Sequence, residues 1–227
     1  MKKLMPFILL VAGITYSQAQ ESQTRSVSSF SGVKVAEGID VILNKGNKES
    51  VRVEVTNTKV EDVITEVSGS YLKVHMRDGN YRGKVDAKVY VTYVKVDKLS
   101  ASSAGNIFSE GTIDATNLEI SSSSAGNVEV VVNAGALEVS SSSAGEIEVK
   151  GKAKSIQADA SSAGQIDAYD LEAQKVNAEA SSAGSVKVNA TEELNAHASS
   201  GGSVRYRGNP NKSTTDSSSG GSVKKSN

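Results

Sequence analysis

From Ile156 to Ala168 the chain reads IQADASSAGQIDA, and from Val176 to Val188 it reads VNAEASSAGSVKV. On both sides of the Ser-Ser-Ala-Gly phrase, apolar or small residues alternate with polar ones at period two. That period predicts strands, because successive side chains of a strand point to opposite faces. The density of Ser and Gly argues further against helix.

The phrase recurs. Taking its last glycine as a marker gives Gly105, Gly126, Gly145, Gly164, Gly184, Gly202 and Gly221, the last two in the form SSGG; the spacings are 21, 19, 19, 20, 18 and 19 residues. A fixed period near 19 identifies a repeat architecture. One such unit cannot bury its apolar face alone, so units must stack on their neighbours. Coiling each unit once sets equal positions one above another at the strand spacing, which predicts a parallel β-helix. About seven rungs at ~4.8 Å make a rod of roughly 34 Å. The marker glycines are expected at a sharp corner, where Gly tolerates unusual φ and ψ and only small side chains fit. Stacked serines are expected to exchange hydroxyl hydrogen bonds between rungs.

The N-terminal third reads differently. Longer β-branched segments (GVKVAEGIDVIL, SVRVEVT, SYLKVHM, DAKVYVTYVKV) are separated by the turn signals NKGNKE and RDGNYRG, and KVEDVITEV is ambiguous between a helical turn and a strand. These segments are expected to form irregular early rungs that cap the regular ones. At the other end, Lys224 and Lys225 are expected to oppose end-to-end strand pairing.

Composition narrows the setting. Residues 1–19 carry Lys2 and Lys3, an apolar run from Met5 to Ile14, and small residues Ser17 and Ala19, the pattern of a secretory signal. The apolar run is shorter than the ~20 residues a membrane-spanning helix needs. The expected division is thus signal peptide 1–19, an N-terminal β-rich capping part 20–98, and regular repeats 99–227, the last two forming one domain. The chain has no cysteine, so neither a disulfide nor a lipid on an N-terminal Cys is available. Its formal charge of −1 offers no electrostatic case for nucleic acid. The expected location is beyond the inner membrane: periplasm, outer envelope or extracellular space.

Equal offsets from the marker glycine should stack, and two columns of ionisable residues emerge. Five residues before it stand Asp159, Glu179, His197 and Asp216; three after it stand Glu129, Glu148 and Asp167, then Lys187, Arg205 and Lys224. The first column could hold a divalent cation or support acid/base work, and could equally be a solvated ladder opposite the inward Ala158, Ala160, Ala178 and Ala180. The acidic half of the second column, Glu129, Glu148 and Asp167, is a candidate Ca²⁺ site, although screening by water and salt is the simpler relief of its repulsion. His75 reads as a structural strand residue. There is no phosphate-loop spacing, and two His among many Ser leave little room for a triad.

The entry FSGVKVAEGIDVILNKGNKESVRVEV, followed by YLKVHM and repeated SSAGNI-type turns, resembles the head GIN domain family, over about Phe30 to Val223. That resemblance implies a right-handed β-helix, an exported location and an adhesive role, and it supplies no catalytic residues. It departs in one respect: the chain has no terminal run of alternating strands long enough for a membrane barrel, so it cannot secrete itself. The resulting expectation is a non-enzymatic, adhesin-like or scaffolding protein with an envelope or extracellular partner, glycan or protein, and no required cofactor. Two alternatives stay open: a polysaccharide-processing enzyme using Asp159, Glu179 and Asp216, and a rung-stacking structural polymer.

Overall fold

The computed structural model describes residues 20–81 and 85–226; the secretory signal read in residues 1–19 and the end of the 77–83 turn lie outside them. Among the described residues the strands are β1 (Glu21–Arg25), β2 (Gly32–Val35), β3 (Asp40–Lys45), β4 (Ser50–Thr56), β5 (Val63–Ser68), β6 (Tyr71–Met76), β7 (Asp86–Tyr93), β8 (Lys98–Ala101), β9 (Asn106–Ser122), β10 (Asn127–Ser141), β11 (Glu146–Ala160), β12 (Gln165–Ala180), β13 (Ser185–Ala198), β14 (Ser203–Arg207), β15 (Lys212–Ser217) and β16 (Ser222–Lys225). Among the described residues no helix is long and apolar enough to cross a membrane.

The fold is a parallel β-solenoid of about seven turns. Each of β9 to β13 traces one rung, and each pairs in parallel with the next; β14 with β16, and β15, complete the last rungs on the two arms of β13. Inward residues stack in columns. One runs Ile107, Val128, Ile147, Ile166, Val186, Val204 and another Leu118, Leu137, Ile156, Val176, Leu194, all buried. Each fully buried side chain of this size contributes about 1.5–3 kcal/mol. A third column shrinks along the rod, from Ile120 and Val139 to Ala158, Ala178 and Ala196. Inward parity holds through Val128, Val130, Val132 and Ala134, then flips to Leu137, Val139 and Ser141. That flip marks a corner. Parity is kept across the Ser-Ser-Ala-Gly phrase, since Ser141 and Gly145 both face inward.

The phrase is a four-residue turn closed by one bond, such as Gly145 N donating to Ser142 O at 2.8 Å. Both central residues have positive φ: Ser143 at 49° and Ala144 at 60°. This is the hairpin-type turn with two left-handed residues. The expected role of the marker glycine therefore needs correcting. It does not supply the unusual dihedrals, because Ser and Ala do. Its necessity is space: a Cβ on Gly145 would lie 2.7 Å from Ser122 C and O of the preceding rung. In the two SSGG turns an extra glycine takes the second left-handed position, Gly201 at φ 75° and Gly220 at φ 76°.

The serine expectation is corrected too. Ser122 and Ser141, the two buried ones, donate within their own turns to Gly126 O (2.6 Å) and Gly145 O (2.7 Å). Rungs are joined at the turn by backbone instead, as in Ala144 N to Ser162 O at 3.2 Å. The reason is geometric: each hydroxyl reaches a carbonyl inside its own turn, one that also accepts a backbone N–H from the next rung, Glu146 N to Gly126 O and Gln165 N to Gly145 O, both at 2.9 Å.

The N-terminal part closes the rod by mixed pairing. β2 and β3 form an early rung, with a turn at Glu37 (φ 63°) and Gly38 (φ 69°), and Gly38 N donates to Ser103 O. GVKVAEGIDVIL is thus two strands and a turn, and the turn ladder begins one rung earlier than the marker phrase. Beyond that rung, β1 pairs antiparallel with β4, β4 with β7, and β5 with β6. The ambiguous KVEDVITEV resolves into both readings, a 3-10 turn at Val60–Asp62 and then β5. Arg25 ties the layers, donating to Val60 O (2.5 Å) and Val63 O (2.6 Å); its burial lowers its pKa. At the opposite end the last described strands are β15 and β16. Register lays Ser213, Thr215 and Ser217 over Leu194, Ala196 and Ala198, and all of β15 is exposed.

Candidate functional site

The corner after Ala134 sends each rung into a second straight arm, and the outward residues of those arms build a long concavity. Parallel register stacks Asn117, Ala136, Ser155, Lys175 and Glu193 as one wall, and Glu119, Glu138, Gln157, Asn177 and Asn195 as the other. Between them runs a shallow groove of about 720 Å³ over Leu118, Leu137, Ile156 and Val176, whose side chains turn inward and are buried. It is concave because small residues, Ala136 and Ser155, stand in the corner-side wall where longer ones would fill it.

Ion pairs bound both ends. Lys98 Nζ lies 3.0 Å from Glu119 Oε2 at the N-terminal end, and Lys212 Nζ lies 2.5 Å from Glu193 Oε1 at the other. Hydrogen bonding to Glu119 raises the pKa of Lys98, and hydrogen bonding from Lys212 lowers that of Glu193. Between those ends the wall is amide-rich. Asn195 Nδ2 donates to Asn177 Oδ1 at 3.1 Å, and Gln157 Nε2 donates to Asp159 Oδ2 at 3.1 Å. Each amide keeps further donor and acceptor capacity. The groove can therefore accept a polar chain lying along the rod.

The first predicted column stacks in register beside this wall: Asp159 on Glu179, Glu179 on His197, His197 on Asp216. His197 Nδ1 lies 3.1 Å from Asp216 Oδ2. Asp159, Glu179 and His197, with Ser140, Ser142, Ser161, Ser181 and Ser199, border a smaller depression of about 220 Å³. The second column also stacks, Glu129 through Lys224. Its acids turn to separate neighbours: Glu148 to Lys150 at 2.6 Å, Asp167 to Lys187 at 2.8 Å, and Glu129 to the Asn127 amide at 3.1 Å. Among the described residues no group of three or more His, Asp or Glu gathers as a metal-binding cluster. His75 sits in β6 with Nδ1 2.8 Å from Met76 O.

The groove walls were not among the residues singled out from sequence. Their signal was present, since they stand nine and seven residues before each marker glycine, offsets as regular as the charged ones. What hid them was their mixed chemistry: Asn117, Ala136, Ser155, Lys175 and Glu193 follow one another in one column and two Glu give way to three amides in the other, so neither reads as a charged ladder.

A family model described as "Putative auto-transporter adhesin, head GIN domain" matches residues 29–210. Similar solved structures include a putative adhesin from Bacteroides fragilis (TM-score 0.82, 21% identity, 94% of this chain and 100% of that one). Another is a putative adhesin from Parabacteroides merdae (0.75, 17%, 92% and 96%). A third, from Parabacteroides distasonis, is described as a putative lipid binding protein (0.70, 20%, 92% and 97%). At these identities the likeness concerns the fold. No curated protein matches the chain.

Proposed function

The chain belongs to the head GIN domain family, and we propose that it acts beyond the inner membrane as a non-enzymatic, adhesin-like protein that holds a glycan or protein ligand along its side groove. The observation that carries this reading is the groove itself: two walls of amides, hydroxyls and carboxylates repeated at strand spacing. Repetition suits it to an extended partner, because the same weak contact recurs on successive rungs and adds up. The neighbours described as adhesins support the adhesive part, and the signal-like residues 1–19 support export.

The test is a glycan-array and envelope-extract binding screen with the purified chain, repeated with Ser155→Trp, which fills the groove from its corner wall. Saturable binding that the tryptophan removes, in a variant with unchanged unfolding, is the expected result. Binding that persists would move the ligand off the groove. The stacked Glu179, His197 and Asp216 favour one second reading, acid/base work on a polysaccharide. It requires turnover of an acidic glycan by the native chain that Glu179→Gln abolishes.

A further inference from the structure

The other arm of each rung carries a charge pattern that the groove does not use. Down its outward column run Glu129, Glu148, Asp167, Lys187, Arg205 and Lys224, neighbours in the parallel register. The adjoining positions do not reverse the division: on the acidic half Glu146 and Lys150 offset each other, and on the basic half stand Arg207 and the uncharged Ser185, Asn189, Ser203 and Ser222. The sign changes once, between Asp167 and Lys187, which pair at 2.8 Å.

Within the chain this separation is only partly relieved. Glu148 reaches Lys150 and Asp167 reaches Lys187. Glu129 takes a neutral amide, and among the described residues neither Arg205 nor Lys224 has an ion-pair partner. Arg207 lies over the Tyr169 ring, 4.1 Å from its centre, so its charge stays uncancelled. Like charges stacked at strand spacing destabilise each half. Short residues beside the column, Asn127, Gln165, Ser185, Ser203 and Ser222, keep the face low enough for another surface to approach.

A face acidic over three rungs and basic over the next three is complementary to itself when turned end for end. Consider a two-fold axis lying between two such faces, parallel to the strands and level with the Asp167–Lys187 step. It sets Glu129 against Lys224 of a second copy, Glu148 against Arg205, and Asp167 against Lys187, and every pairing occurs twice, as in any isologous contact. A parallel arrangement in register would set acid on acid. A parallel arrangement staggered by three rungs would satisfy one half and leave the other open. We propose that this face pairs with the same face of a second copy, antiparallel, to form a two-fold dimer held by charge complementarity and weakened by salt.

Sedimentation of the full chain over a range of concentrations tests this directly. At low ionic strength a monomer–dimer equilibrium is expected, and raising the salt should weaken it by about tenfold or more, since exposed charge pairs are screened. Two charge-reversed variants sharpen it: Glu129→Lys with Glu148→Lys, and Arg205→Glu with Lys224→Glu. Each should be monomeric alone, with native circular dichroism, and mixing the two should restore a heterodimer, because every opposed pair is again of opposite sign. Since the chain contains no cysteine, Glu129→Cys mixed with Lys224→Cys should give a cross-link with a short reagent, whereas Glu129→Cys mixed with Lys187→Cys should not. A monomer at every concentration overturns the proposal. So does a dimer indifferent to both reversals, and so does an open-ended ladder cross-linking 129 to 187, the mark of the staggered arrangement.

Discussion

The regular rungs and the N-terminal part solve the same problem with opposite materials. From β9 onward, the core is made of matched columns, and small residues let rungs lie close: the marker glycine meets backbone, and the third inward column falls to Ala. In β1–β8 there is no matching rung on one side, so the chain supplies bulk, with Phe30, Leu43, Leu72, Met76 and Tyr93 buried, and turns strands back antiparallel. Repetition makes precise spacing necessary, whereas irregularity makes volume necessary. The two regions should therefore fail to different substitutions.

The largest contrast is expected at glycines. Gly145→Ala should cost about 3 kcal/mol or more in denaturant unfolding, because the added methyl meets backbone that cannot rotate away. Gly111→Ala, where a Cβ meets nothing within 4 Å, should change stability by less than about 0.5 kcal/mol. Equal effects would erase the distinction.

Next comes volume. Leu72→Ala in the N-terminal part should cost about 2–5 kcal/mol through the cavity it leaves. Ala178→Leu in the repeats should cost about 1–3 kcal/mol for the reverse reason, overpacking between Ala158 and Ala196. A smaller effect belongs to the tie between layers. Arg25→Met removes donors to Val60 O and Val63 O and should cost about 1–3 kcal/mol.

The smallest stability change is of opposite sign. Ala144→Gly relieves a left-handed alanine while loosening the unfolded chain, and should stabilise by about 0.5 kcal/mol net. Acid titration at the groove ends gives a last sharpening. Glu193 has a lowered pKa in the folded chain, so its contribution is present above the ordinary carboxylate range and lost as pH falls through the folded value. Lys98, with a raised pKa, contributes below the ordinary lysine range and loses that contribution as pH rises through its folded value. Glu193→Gln should flatten the acid limb, measured by unfolding at several pH values.

Legibility followed the same divide. A constant offset from one glycine was enough to place Asp159 on Glu179 and Glu129 on Glu148, because parallel stacking at a fixed period is arithmetic. The turn's dihedrals were not legible: Gly is the usual left-handed residue, and nothing local announces that Ser143 and Ala144 take that conformation and leave Gly145 to solve a contact with Ser122. Glu37–Gly38 was hidden because it shares only one residue type with the later turns. The groove was hidden because its depth depends on the parity flip between Ala134 and Leu137, which no alternation pattern fixes in advance. In the N-terminal part, strands were visible but their partners were not, since antiparallel pairing ignores the period.

The unequal ends of the rod have a mechanical consequence. A pull on the C-terminus meets a last rung held along only one edge, so bonds open one after another and the chain peels. Each rung released would lengthen the molecule by roughly 65 Å, at ~3.3–3.6 Å for each of its residues. At the other end β1 is an edge strand too, antiparallel to β4 alone, so a pull there opens that single ladder before it reaches the paired strands behind it. From its C-terminal end the rod is thus a spring whose coils are counted in rungs.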